Sequence, residues 1–164
     1  MDAHLLVEQT KIVVGGGPVL LNTAGITGAY VSMKNYNHLT AIVALAPASG
    51  TDTAAITAKQ ATAIAGTSAK ALGFSNIWKN GAPGTNDTLV KTAVVANSVT
   101  TSALAALELY VIEIDAADLD VANGFDCVGI DVSDPGSVST PASIIYILSQ
   151  PRYGQSTPPS AVID

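Results

Sequence analysis

Short runs of β-branched and aromatic residues recur along this chain, and clusters of turn-forming residues separate them. Valine, isoleucine, threonine and aromatic side chains favour strands, whereas the Asn, Asp, Gly and Pro clusters between the runs favour turns. Eight such runs predict an all-β antiparallel β-sandwich, and a jelly-roll-like form suits eight strands at this spacing. The predicted strands are 28–33, 38–46, 53–64, 74–80, 87–95, 107–115, 125–132 and 143–149.

The predicted strands fall within one domain. The chain has 164 residues, of which 48% are hydrophobic, and this is enough to bury a single core. We place the β-sandwich domain at 12–149, an N-terminal arm at 1–11 and a C-terminal arm at 150–164. The C-terminal arm is rich in Pro and Ser and has no hydrophobic period, so we expect it to be mobile or to order only against another chain. The N-terminal arm can form a short helical turn or an extended segment.

Three consecutive glycines, Gly15, Gly16 and Gly17, follow a β-branched run, as the glycines of a phosphate-binding loop often do. A Walker loop needs a lysine directly after its last glycine, but Pro18 follows here and the next lysine is Lys34. A dinucleotide-binding loop opens a helix, whereas these glycines precede another extended pattern. We therefore predict no nucleotide site and expect a bend, a bulge or a loop that contacts a neighbouring subunit.

Charged residues are scarce, at 12% of the chain, and the net charge is −6. The seven cations stand singly, whereas phosphate neutralisation needs clustered cations, so we exclude direct nucleic-acid binding. No apolar run is long enough to cross a bilayer and the first residues lack a basic segment, so we predict no membrane association and no secretory signal. A weakly charged surface suits a protein that is covered by partners, because few charges are desolvated on association.

The carboxylates are concentrated in one region, since eight of the thirteen lie between residues 108 and 134. A calcium ion could use several of these oxygens, but the segment 118–124 misses the EF-hand spacing by one residue and lacks the closing Glu. We favour solvent-facing carboxylates at alternate strand positions, such as Glu113, Asp115 and Asp131, and predict no metal and no cofactor. These carboxylates can also form a docking face for a basic partner.

Residues that carry enzyme chemistry are few and dispersed. His4 lies in the N-terminal arm, His38 begins a predicted strand, and no Gly-x-Ser-x-Gly elbow occurs. The lone cysteine, Cys127, lies in an apolar run and is interpreted as a small buried hydrophobic residue. We therefore predict that the protein is not an enzyme and has no catalytic residues.

Trp78 has two interpretations. Strand alternation in LGFSNIWKN places Phe74, Asn76 and Trp78 on one face, which favours Trp78 as an anchor of the core. The alternative is an exposed indole that stacks on a sugar ring. That alternative defines a second candidate function, a carbohydrate-binding β-sandwich in a head fibre or tail adhesin that contacts a host surface.

Four segments carry a family resemblance: MKNYNHLTAIVAL at 33–45, AKALGFSNIWKN at 69–80, IEIDAADLDVANGFDCVGIDVSDPG at 112–136 and SIIYILSQPRYG at 143–154. Across residues 28–154 the chain resembles small virion structural proteins of tailed bacteriophages. The resemblance implies a β-sandwich that decorates or cements the capsid shell, at the capsid surface of the virion, after assembly in the host cytoplasm. The partners it implies are the major capsid protein and further copies of this chain, with a trimer favoured.

Seven residues are candidate partner contacts on this interpretation. They are Gly15, Gly16, Gly17, Arg152, Tyr153, Pro158 and Pro159. The glycines bring bare backbone to a surface that a neighbouring subunit can approach closely. The aromatic residue of the C-terminal arm lies outside the strand pattern and beside an arginine, which is typical of an interface anchor.

Overall fold

Eleven strands, one short α-helix and two 3₁₀ helices (Ala116–Asp118 and Val121–Asn123) make up the computed structural model, which describes residues 5–47, 50–104, 106–137, 139–153 and 157–163. The α-helix is α1 (Leu6–Gln9). The strands are β1 (Lys11–Leu21), β2 (Val31–Ser32), β3 (Tyr36–Leu45), β4 (Ala55–Ala61), β5 (Lys70–Ala71), β6 (Phe74–Asn80), β7 (Val90–Ala96), β8 (Ser98–Thr100), β9 (Glu108–Asp115), β10 (Cys127–Val132) and β11 (Thr140–Pro151).

The strands form two antiparallel sheets that pack face to face. The six-stranded sheet has the order β1-β11-β3-β9-β6-β7, and the five-stranded sheet has the order β2-β10-β4-β5, with β8 also paired to β4. Pairing runs inward from both ends of the chain: β1 with β11, β2 with β10, β3 with β9 and β4 with β8. Successive pairs lie in alternate sheets, which is the winding of a jelly roll. The predicted jelly-roll-like β-sandwich is therefore confirmed.

All eight predicted strands are present, although the first is reduced to the two residues of β2. β1, β5 and β8 lie outside the predicted set. β1 was not predicted as a strand, because the three glycines at its centre have a low strand propensity. The structure places the glycine run inside this one strand, where the register with β11 shifts between Val14 and Gly16 and again between Gly16 and Val19. Of the alternatives left open, the β-bulge is the one observed.

The core lies between the two sheets, and Tyr146 of β11 crosses it. Its side chain is fully buried, and its hydroxyl accepts the backbone N–H of Ile130 in the opposite sheet at 2.8 Å. Burial raises the pKa of the Tyr146 hydroxyl, so it stays protonated. Each large side chain buried here contributes about 1.5–3 kcal/mol of favourable transfer free energy.

The described parts of the two predicted arms lie against the β-sandwich, whereas the sequence predicted free arms. α1 directly precedes β1. In the C-terminal segment, Ala161 is fully buried and its carbonyl accepts the N–H of Ser32 at 2.8 Å, while the carbonyl of Pro159 accepts the Tyr36 hydroxyl at 2.5 Å. The expectation that the tail orders only against another chain is therefore wrong for residues 157–163, because these hydrogen bonds and this burial are internal.

The remaining parts of the predicted arms, 1–4 with His4, 154–156 and 164, lie outside the described residues. Within the described ranges, no helix has the length and apolar character needed to span a membrane.

Candidate docking face

Strand alternation directs every second side chain of the six-stranded sheet away from the core. On that outer face, directly paired residues of five adjacent strands form one line, which we call the apolar row: Val14, Ile145, Ile42, Val111 and Trp78. Val14 is 65% exposed and Ile145 is 38% exposed, and the other three are partly exposed. Because side chains paired across strands on one face lie within contact range, the row is a continuous apolar stripe.

Trp78 lies on this outer face and not in the core, so the favoured interpretation of this residue is wrong. The register of β6 with β7 is irregular between Phe74 and Asn76, so simple alternation from Phe74 does not hold along the strand. Phe74 and Ile77 are therefore both buried, whereas Trp78 is partly exposed. The Lys91 ammonium lies 5.3 Å from the centroid of the Trp78 ring and closes this end of the row with a cation–π contact.

An ionic cluster lies on the same face, beside the apolar row. His38 contacts two carboxylates across the β3–β9 pair, with Nε2 2.6 Å from Oε2 of Glu113 and Nδ1 2.6 Å from Oδ1 of Asp115. The Thr40 hydroxyl donates to the same Glu113 oxygen at 2.7 Å. Both ring nitrogens can donate only when the imidazole is protonated. Partial burial lowers the pKa of His38, but hydrogen bonds to Asp115 and Glu113 outweigh it and raise the pKa above its ordinary value.

The acidic segment that the sequence singled out is distributed over several ion pairs. Glu113 and Asp115 hold His38, Asp131 lies 2.6 Å from Lys59, and Asp120 contacts Lys70. Hydrogen bonds from Lys70 and Asn123 lower the pKa of Asp120. Within the described parts of the chain, no group of three or more His, Cys, Asp or Glu side chains is arranged so that it could hold a metal ion. On the outer face of the six-stranded sheet, Glu113 and Asp115 give the apolar row an acidic border.

The predicted contact glycines face their own chain. A Cβ atom at Gly15 would lie 2.6 Å from the Tyr146 ring, and one at Gly16 would lie 2.5 Å from Ile26. Gly17 has φ of +76°, and a Cβ there would lie 2.3 Å from the Ala142 carbonyl oxygen. The close backbone approach that requires glycine is therefore intramolecular. A Gly16→Val substitution would disturb the packing within the subunit, so it cannot serve as a specific test of assembly.

The four candidate contacts of the C-terminal arm do not join the apolar row. Arg152 is anchored by its backbone N–H, which donates to the Asn35 carbonyl at 2.9 Å, and its side chain is exposed. Tyr153 is also exposed, whereas Pro158 and Pro159 are partly buried against the sandwich. Their role as partner contacts remains a prediction.

Sequence reasoning missed the apolar row. Its signal was present in strands with apolar residues on both faces, such as IIYI at 144–147 and AIVAL at 41–45. A strand with one face in water normally alternates apolar and polar residues, so apolar residues on both faces indicate a second buried face. Aligning Val14 with Trp78 also needs the strand order and register, which the sequence does not provide.

No protein-family model matches this chain, and no curated protein matches it. Among solved structures, the SPBc2 prophage-derived protein YomS is similar at 14% sequence identity, with a TM-score of 0.44. That similarity covers 84% of this chain and 92% of the YomS chain.

Proposed function

We propose that this chain is a non-enzymatic virion structural protein that binds and stabilises a phage capsid shell. The observation that carries the proposal is the apolar row on a sheet face that would otherwise meet solvent. Contiguous apolar surface of this kind marks sites where proteins associate. The resemblance of residues 28–154 to small virion proteins of tailed phages points to the shell as the partner.

The surroundings of the apolar row favour a protein partner with basic residues at its rim. Glu113 and Asp115 border the row near Trp78, and Asp118 hydrogen-bonds the backbone N–H of Asp115 at 3.2 Å. An apolar centre with a charged rim is the usual anatomy of a specific protein interface. Complementary charges at such a rim chiefly increase the association rate and the specificity.

The test is addition of the purified protein to expanded, undecorated capsids. We expect binding that saturates at a fixed stoichiometry and raises the temperature at which the shells disrupt. Trp78→Thr removes the largest side chain of the apolar row and should weaken binding by at least about tenfold, as loss of an aromatic interface anchor does. Val95→Thr is the matched control, because Val95 is fully exposed in β7 and lies outside the row. Recovery of the protein only with tails, or equal binding by both variants, would contradict the proposal.

Glycan binding is the second candidate function, and one observation favours it. Trp78 lines a groove of about 310 Å³ together with Asn76, Glu113 and Asp115, and such polar groups suit sugar hydroxyls. The Lys91 ammonium, however, lies over the indole ring where a sugar would stack, so we favour the shell. Quenching of Trp78 fluorescence by glycans, with no binding to capsids, would favour glycan binding over shell binding.

A further inference from the structure

We propose that a second copy of this chain covers the apolar surface at the β1 edge of the six-stranded sheet, so that the protein self-associates there. That copy covers the Val14–Ile145 end of the apolar row, and the rest of the row, from Ile42 to Trp78, stays available to the shell. We call this surface the edge patch and define it by five exposed residues: Leu6, Val7, Ile12, Val14 and Ile145. Val14 pairs directly with Ile145, and Ile12 pairs with Ile147, which is itself partly exposed. α1 contacts both β1 and β11, so its apolar residues lie beside these strands.

Exposed apolar side chains are concentrated in the segment from residue 5 to residue 20. Of the sixteen large hydrophobic residues exposed in the described ranges, seven lie between residues 5 and 20. They are Leu5, Leu6, Val7, Ile12, Val14, Val19 and Leu20. Single exposed hydrophobic residues need no explanation, but Val14 paired with Ile145, and Ile12 two residues away on the same strand face, form a contiguous patch that indicates an interface.

The charge distribution favours a second copy as the partner. The chain has a net charge of −6, so two copies repel each other wherever their acidic regions meet. α1, β1 and β11 contain one acid, Glu8, and one base, Lys11, and no other charged residue. The edge patch is thus neutral, whereas the part of the same face near Trp78 has the acidic border. Copies can therefore meet at the edge patch with little repulsion.

The edge of β1 offers the same partner a second contact, in the plane of the sheet. β1 is the terminal strand of its sheet, and within the described residues only β11 forms a ladder with it. Residues 11–14 keep a regular register before the first bulge, so their outward backbone groups are aligned to meet another strand. The bulges at the glycines and the missing N–H of Pro18 then limit such pairing to this short segment. The β1 edge therefore cannot pair with another strand along its whole length.

Sedimentation analysis of the purified protein over a range of concentrations tests the inference without any capsid, so its outcome is independent of the proposed shell binding. We expect the wild-type protein to form a dimer or a trimer. Val14→Glu should weaken association by at least about tenfold, because it buries a charge in an apolar contact. Val95→Glu makes the same change on the exposed β7 edge and should associate as the wild type does. Circular dichroism should show both variants folded.

A thiol at position 14 gives a second readout that does not depend on disrupting the interface. Cys127 is buried, so Val14→Cys would carry one accessible thiol and Val95→Cys would serve as its control. The reaction rate of the thiol at position 14 with a disulfide reagent should fall as the protein concentration rises, whereas the rate at position 95 should stay constant. A monomeric wild-type protein, equal effects of the two Glu variants, or concentration-independent reactivity at position 14 would overturn the inference.

Discussion

Strand β9 carries an ionic cluster on each of its two faces, and the two clusters have different surroundings. On the inner face, Glu108 is 5% exposed, its Oε1 lies 2.8 Å from Lys79 Nζ, and its Oε2 accepts the Tyr110 hydroxyl at 2.5 Å. On the outer face, Glu113 and Asp115 hold His38, and solvent reaches all three side chains. The same strand thus places one group of charges in the core and another in contact with water.

The comparison shows how burial changes the number of partners that a charge requires. A carboxylate without water must have each oxygen paired, and Glu108 meets that requirement. Lys79 also donates to the Ser102 hydroxyl, and its ammonium lies 5.4 Å from the Tyr110 ring centroid. Burial, followed by the hydrogen bond to Glu108, raises the pKa of Tyr110, so its hydroxyl remains a donor. On the outer face, water can replace any partner that is lost.

The largest effect is expected for Glu108→Ala. The substitution removes the carboxylate shared by the Lys79 ammonium and the Tyr110 hydroxyl, and Lys79 keeps only the neutral Ser102 hydroxyl. This loss should reduce the free energy of unfolding by about 3 kcal/mol. Glu113→Ala on the opposite face is the matched control and should cost less than about 1 kcal/mol, because solvent screens that cluster. Urea denaturation of both variants measures the difference. Equal losses would show that the two faces do not differ.

A double substitution separates the cost of an unpaired charge from the value of the pair. Combining Glu108→Leu with Lys79→Met replaces both charges by apolar groups, and buried ion pairs can often be replaced in this way with little loss. We expect the double variant to be more stable than Glu108→Ala. If the double variant were as unstable as the single one, the ion pair itself would stabilise this end of the core. The loss in Glu108→Ala would then not come from the cost of leaving a buried charge without its partner.

The sequence predicted the sheets far better than it predicted which face each residue occupies. Propensity and turn chemistry identified eight strands, because both are local properties. Local alternation then assigned Glu113 and Asp115 correctly to solvent, yet it placed Trp78 in the core, because an irregularity in β6 interrupts the alternation. The face of a residue depends on register, and register is fixed by pairing between distant strands.

An intermediate effect is expected from the titration of His38. Its raised folded pKa means that the cluster stabilises the fold fully below the unfolded value of 6.5, and that this contribution is lost as pH rises through the folded pKa. The ring contacts Glu113 and Asp115, and Thr40 donates to the Glu113 oxygen that the ring also contacts. Because the cluster is partly exposed, the loss should not exceed about 1 kcal/mol as the pH rises from below 6.5 to above the raised folded pKa.

His38→Gln supplies the control for this pH dependence, since Gln keeps hydrogen-bonding groups but does not titrate in that range. We expect the stability difference between the wild type and His38→Gln to shrink as pH rises, as measured by urea unfolding at each pH. A difference that stayed constant or grew with pH would contradict the protonated bridge between the two carboxylates.

The apolar row lay beyond sequence reasoning for a physical reason. Each member is an ordinary strand residue, and only the pairing of β1, β11, β3, β9 and β6 brings the five into line. The glycine run illustrates the converse. It was visible in the sequence, but its role as a close contact with Tyr146 and Ile26 depended on strands far away in the chain. The low content of charged residues favoured a protein that partners cover, but it gave no information on which face they would contact.

The smallest effect is expected for Thr40→Val, which sharpens the contrast between the two faces. Thr40 donates a hydrogen bond to Glu113 Oε2, so its loss removes one donor from a charged acceptor. Glu113 keeps the contact with His38 and gains water, and valine matches the strand preference of threonine, so the change should stay within about 0.5 kcal/mol. On the inner face, Tyr110→Phe removes the equivalent donor from Glu108, where no water can replace it, and should cost about 1 kcal/mol or more. If chemical denaturation gave the two variants the same loss of unfolding free energy, solvent access would not explain the difference between the two ionic clusters of β9.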